Sequence, residues 1–136
     1  MSKQVGQSKV RVDAFDKATG RAKYTDDLCG REALVTRIVH STIAHGLVTA
    51  VDTAAAEQVP GVVKVFTCFD VPNYPFPTAG HPWSTDPHHQ DVADRLLLNR
   101  HVRYYGDEVA VVVAEDEVAA AQAARLVKVS YEEYPF

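Results

Sequence analysis

The segments of this chain, taken in order, predict an α+β fold, and three observations carry that reading. The apolar run "VAVVVA" at 109–114 is short and mostly β-branched, which suits a central strand. Helix signals around it are few and unequal in length, unlike the regular alternation of a doubly wound α/β sheet. Gly106, in "YYGDE", separates two strand-like segments and predicts a hairpin. With 136 residues, 46% of them hydrophobic, the chain can build one core without disulfides or metal.

The elements follow from local pattern. Residues 1–9 are polar and predict a loose N-terminus, ahead of a single domain over 10–136. From Ala33, "ALVTRIVHS" sets Leu34, Thr36, Ile38 and His40 against Val35, Arg37 and Val39, a pattern expected of a strand buried on both faces. "LVTAVD" is a second strand. "TAAAEQ" begins after Asp52 or Thr53 as N-cap and stops at Pro60-Gly61, which leaves room for a short helix. "VVKVFT" is the third strand.

Between Phe69 and about Val92 lie Pro72, Pro75, Pro77, Pro82 and Pro87, five of the seven prolines, so no ladder or helix can run through. A loop this long is expected to be functional or disordered. Beyond the central strand, Asp116 is placed to cap "EVAAAQAARLV", whose alanine face lets a helix sit close on a sheet. "VKVSYEEY" alternates Val127, Val129 and Tyr131 against Lys128, Ser130 and Glu132, as a half-buried edge strand does.

Composition excludes several functions. Eighteen acidic against fourteen basic residues give a formal net charge of −4, and no basic stripe is present to track phosphates. Nucleic acid is not an expected partner. There is no signal-peptide h-region and no apolar run of bilayer length, which predicts a soluble, cytoplasmic protein. Cys29 and Cys68 match no metal or redox spacing and read as reduced thiols. The end "SYEEYPF" lacks a polar tail and suggests a piece of a longer chain.

No complete catalytic constellation emerges. "TAGHPWSTDPHHQD" at 78–91 holds the only tryptophan and three of the six histidines. His81, His88, His89, Asp86 and Asp91 are zinc-ligand types, yet no helical HxxxH spacing supports a metal site. Trp83 either covers apolar surface or lines a ligand channel. Ser41, near His40 and His45, lacks a G-x-S-x-G elbow, so both histidines read as structural. Glu132 and Glu133 face opposite ways on a strand and cannot act as an acid and base pair. Asp26-Asp27 can cap a helix or bind a cation weakly, with a solvated turn the favoured reading. Besides a domain of a larger enzyme, a free-standing interaction module and a small His-site metalloprotein remain open readings.

Three segments taken together, "VRVDAFDKATGRAKYTDDL", "HSTIAHGLVTAVDTAAAEQVPGVVKVFTCFDVP" and "HVRYYGDEVAVVVAEDEVAAAQAARLVKVSYEEYP", resemble the N-terminal α/β-hammerhead domain of molybdenum-binding subunits in the xanthine oxidase and aldehyde oxidase family. The resemblance runs from about Val10 to Pro135, and "FPTAGHPWSTD" looks most like bacterial xanthine dehydrogenases. It implies a mixed sheet with one short and one longer helix and a long proline-rich loop.

For the parent enzyme, the resemblance implies hydroxylation of an aromatic carbon at a molybdopterin-bound molybdenum, with iron–sulfur clusters and often FAD carrying electrons away. No catalytic, cofactor or metal residue is carried over to this stretch. The loop after "DVP" places His81 and Trp83 near the mouth of the family's substrate channel. "KATGRAKYTDD" resembles the family's entry segment and makes Arg21, Tyr24 and Asp27 candidates for contacts with the remaining domains or with the iron–sulfur and FAD partners. Cys68 stands before "FDVP" where an acidic or small residue is usual in the family, so that position is not read as charged.

Overall fold

The computed structural model of the chain describes residues 6–30, 32–77, 86, 88 and 92–135. It divides into two compact units, residues 1–33 and 34–136. The first carries two short helices, α1 (Ala14–Ala18) and α2 (Thr25–Leu28), and buries none of its described side chains. Gly20 closes α1 at φ +70°, a left-handed conformation that glycine adopts without penalty. At Asp26-Asp27 the capping alternative holds in place of the solvated turn, for both lie in the first turn of α2. Asp27 accepts a hydrogen bond from the Tyr24 N–H at 2.9 Å, satisfying a donor that the helix start leaves open.

The second unit holds the strands: β1 (Val35–His40), β2 (Gly46–Asp52), β3 (Val62–Thr67), β4 (His101–Val102), β5 (Glu108–Ala114) and β6 (Lys128–Glu133). Its helices are α3 (Ala54–Glu57) and α4 (Glu117–Leu126). The expected mixed sheet is replaced by two antiparallel three-stranded sheets, in the orders β1-β5-β3 and β4-β2-β6. β5 is central, as its valine run predicts. The α+β class stands.

The hairpin expected about Gly106 does not form. Gly106 makes the turn at φ +94°, but β4 pairs with β2 while β5 pairs with β1 and β3, so the turn passes the chain from one sheet to the other. The buried cluster of Ile43, Val48, Val102 and Val109 joins strands of both sheets at this crossing.

α4 covers the first sheet with its alanine face, and Ala119, Ala120 and Ala123 are buried against Ala114, Val112 and their neighbours. Asp116 caps α4 as expected, accepting from the Ala119 N–H at 2.8 Å. At α3 Thr53 occupies the N-cap position without a side-chain cap bond, its hydroxyl donating to Glu57 at 3.2 Å, while the Asp52 carboxylate accepts from the Ala54 N–H. β1 departs from expectation. Only Val35 and Val39 pack inward, while Leu34 and Ile38 remain 49% and 45% exposed, because β1 is an edge strand covered on one side alone.

Candidate functional site

His81 and Trp83 lie outside the described residues, as do His89 and Asp91, while the two ends of the proline-rich stretch that holds them, up to 77 and from 92, are described. Phe76 and Arg95 form an antiparallel bridge across its neck, with the Phe76 N–H donating to the Arg95 carbonyl at 2.9 Å and the Arg95 N–H returning to Phe76 at 3.3 Å. Loop closure is thus fixed by backbone bonds at a chain position that prolines otherwise deny to secondary structure. Within the excursion, the Asp86 carboxylate accepts from the His88 N–H at 2.9 Å, a turn contact.

The neck is tied to the sheets through the Arg95 side chain. Its Nη2 donates to Glu108 Oε2 at 2.8 Å, and its Nη1 lies 3.9 Å from Asp107 Oδ1. The guanidinium also sits 5.4 Å from the centre of the Tyr104 ring, a cation–π distance. Tyr104 first, and then the two carboxylates, push its pKa above the ordinary guanidinium value.

Asp107 is 1% exposed and its carboxylate is held by three hydrogen-bond donors. Asn99 Nδ2 donates to it at 2.7 Å, and the Arg103 and Glu108 N–H groups at 3.1 Å each. A buried carboxylate needs this density of donors. Ser41, also buried, accepts from the Gly106 and Asp107 N–H groups at 3.2 Å, so its hydroxyl is a structural joint in the same turn.

Beside the neck, Phe69, Pro72, Leu96 and Leu98, with Asn73 and Arg100, line a groove of about 310 Å³. Arg100 stacks over Phe69 at 5.3 Å on its rim. Cys68 opens into the groove, and burial pushes its thiol pKa up, which keeps it protonated and weakly nucleophilic. Asp70 turns the chain out of β3 by accepting from the Thr67 hydroxyl at 2.6 Å and the Thr67 N–H at 2.8 Å; those bonds hold its carboxyl below the usual range.

The other sequence candidates are placed as follows. His40 Nδ1 donates to the Gly106 carbonyl at 2.7 Å and His45 Nδ1 to the Pro135 carbonyl at 3.0 Å, so both histidines tie strand ends, as read. Arg21 lies 5.6 Å from the Phe15 ring centre, and Tyr24 and Asp27 meet through the α2 cap. Both cysteines are free thiols. The Arg95, Asn99, Asp107 and Glu108 network was missed by sequence reasoning. The signal available was the acidic pair in "GDEVAVVVA", which enters an apolar strand and therefore demands partners.

The arrangement is an anchor: it fixes how the segment leaving β3 and the segment leading into β4 meet at the Phe76–Arg95 bridge. Among the described residues no group of three or more His, Cys, Asp and Glu side chains is placed to hold a metal ion. No described helix is long and apolar enough to cross a membrane.

Comparison with known proteins gives these features a context. Residues 19–135 match the model of the family described as "Aldehyde oxidase and xanthine dehydrogenase, a/b hammerhead domain". The chain is 50% identical over 126 residues to the xanthine dehydrogenase molybdenum-binding subunit of Escherichia coli O157:H7, covering 93% of this chain and 17% of that protein. It is 35% identical over 130 residues to aldehyde oxidase 2 of Cavia porcellus, covering 95% of this chain and 9% of the relative. Its structure is similar to that of the aldehyde oxidoreductase of Desulfovibrio desulfuricans, with a TM-score of 0.79 at 33% identity over 96% of this chain and 15% of the other.

Proposed function

This chain belongs to the α/β-hammerhead domain family of aldehyde oxidase and xanthine dehydrogenase, and on that premise we propose that it works as scaffold and channel wall inside a xanthine dehydrogenase acting on purines in the cytoplasm. The observation that carries the choice is the 50% identity to a xanthine dehydrogenase molybdenum-binding subunit, against 35% to an aldehyde oxidase. The family match crosses the division at residue 33, which supports treating 10–136 as one working domain.

Molybdopterin, iron–sulfur clusters and FAD are assigned in this reading to the rest of the enzyme, and no chemical step is assigned to these residues. Their part is to hold the loop. In the proposal, His81 and Trp83 guide a planar heterocycle by polar contact and stacking, while the Arg95 network keeps the loop neck in register with the sheets. Arg21, Tyr24 and Asp27 face the remaining domains or the electron-transfer partners, as planar and charged anchors.

The test is steady-state kinetics of the native enzyme with xanthine and with an aromatic aldehyde. Preference for xanthine is expected. Trp83→Ala should raise the apparent KM for xanthine about tenfold and leave kcat within about twofold, the pattern of lost binding without lost chemistry. An unchanged KM would remove Trp83 from the channel, and preference for the aldehyde would replace the purine reading.

A further inference from the structure

The inward row of β1 carries a cation where its neighbours carry valine. Register sets Arg37 in line with Val112 of β5 and Val65 of β3, which are 0% and 2% exposed. On either side of it along β1, Val35 and Val39 pack against the buried clusters. Arg37 therefore leaves the sheet on the face that α4 covers, and it stays exposed because β1 is the edge strand. Arg125 stands one turn beyond Ala121 on α4.

Both arginines and Ala121 line one pocket of about 320 Å³. Val39, Val127 and Val129 line it too and are packed against the buried clusters, whereas the two arginines are exposed, so the pocket is apolar in depth and cationic at its mouth. No aspartate or glutamate lines it. Among the described residues, neither guanidinium makes a hydrogen bond, an ion pair or a ring contact. The Tyr131 hydroxyl, also on the pocket, accepts from the Thr42 N–H at 3.4 Å, and no acceptor for its own proton is present among the described residues. All the walls belong to residues 34–136, one compact unit.

Two guanidinium groups brought to one pocket without a carboxylate, in a chain of net charge −4, create a local positive field that an anion relieves. Their forked donors match the paired oxygens of a carboxylate, and the valines beneath them accept an apolar body. The volume is at the lower end for small-molecule sites. We infer that this pocket between β1, α4 and β6 binds a small organic carboxylate on an aliphatic or aromatic body. Arg37 and Arg125 hold the carboxylate, and Tyr131 donates to it. The inference goes beyond the proposed function, since it gives the pocket no part in the molybdenum reaction.

The probe is cyclohexanecarboxylate, with its uncharged amide supplying the body alone and inorganic phosphate the charge alone. Hydrogen exchange of the full-length native polypeptide is read by peptide mass spectrometry over residues 37–42 and 121–131. Each probe is titrated to about 10 mM, the affinity range open to so few atoms. Exchange in both segments is expected to slow about threefold or more with the carboxylate and to stay unchanged with the amide and with phosphate. Arg37→Gln and Arg125→Gln, both at exposed positions, should each raise the midpoint about tenfold or abolish the response. No slowing with the carboxylate overturns the inference, whether the pocket stays empty or other chain already fills it. An equal response to the amide would leave an apolar cleft only, and an equal response to phosphate a charged patch only. A response that survives both substitutions would belong to another site, and each of these three results overturns the inference as well.

Discussion

Removing the Asp107 carboxylate tests whether the network at the loop neck is held by satisfied donors, as the geometry indicates. Asp107→Ala removes the acceptor of three donors: Asn99 Nδ2, on a residue 6% exposed, and the Arg103 and Glu108 N–H groups. Each buried, unpaired donor costs about 1–3 kcal/mol, so the variant should lose about 3 kcal/mol in total. Asp107→Asn keeps the shape and an acceptor for Asn99 but turns an amide NH2 toward the Arg103 N–H, so its loss should be about half as large. Urea denaturation reads the difference directly. With a slope of about 1.5 kcal/mol/M, Asp107→Ala should lower the midpoint by about 2 M at unchanged slope. The Asn99→Ala, Asp107→Ala double variant should fall well short of the summed single effects, since both remove the same bond. A loss under about 1 kcal/mol for Asp107→Ala, or strict additivity in the cycle, would refute the claim that these donors depend on this carboxylate.

Three other outcomes follow from single sites. Gly46→Ala would press its new methyl against the Glu132 carbonyl, with Ile43 Cδ1 at 2.7 Å, so the β2-β6 pairing must shift; a loss of about 2–3 kcal/mol in the same urea assay is expected, and a neutral effect would mean the strands part easily. Cys29 is exposed and Cys68 half-buried with a raised pKa, so iodoacetamide at neutral pH should modify Cys29 about tenfold faster; equal rates by peptide mass spectrometry would contradict the burial of Cys68. The Asp70 carboxyl is held below its ordinary value of 3.8 by Thr67, so its bonds add stability that is present above that value and lost as pH falls through the lowered folded value. Asp70→Asn should therefore flatten the stability profile below about pH 4, and an unchanged acid limb in urea midpoints would show that Asp70 is not linked to folding.

The parts legible in the sequence are those that local periodicity determines. β3 and β5 follow from β-branched runs, and α4 from an alanine face behind an aspartate cap, because each signal lies within one element. The two-sheet arrangement is not local. Gly106 announces a turn, but whether the chain then pairs back on itself depends on β2 and β1, which compete for β4 and β5 from more than 50 residues away. The candidate site divides in the same way. Five prolines between Phe69 and Val92 reveal an excursion, whereas its neck depends on Arg95 reaching Glu108, 13 residues on, a pairing that no short motif encodes.

The division has a physical consequence for the loop. In the proposed function, His81 and Trp83 serve by what they touch. The neck is constrained by the fold, because Arg95 is bound to two carboxylates at the very start of β5, and Asp107 is buried where that strand enters the core. A substitution at the neck thus acts on folding and on the position of the flanking segments together. An arginine at the neck also suits this task better than a lysine. One planar guanidinium can engage Glu108, lie near Asp107 and stack on Tyr104 at once, which a single ammonium on a flexible stem cannot do.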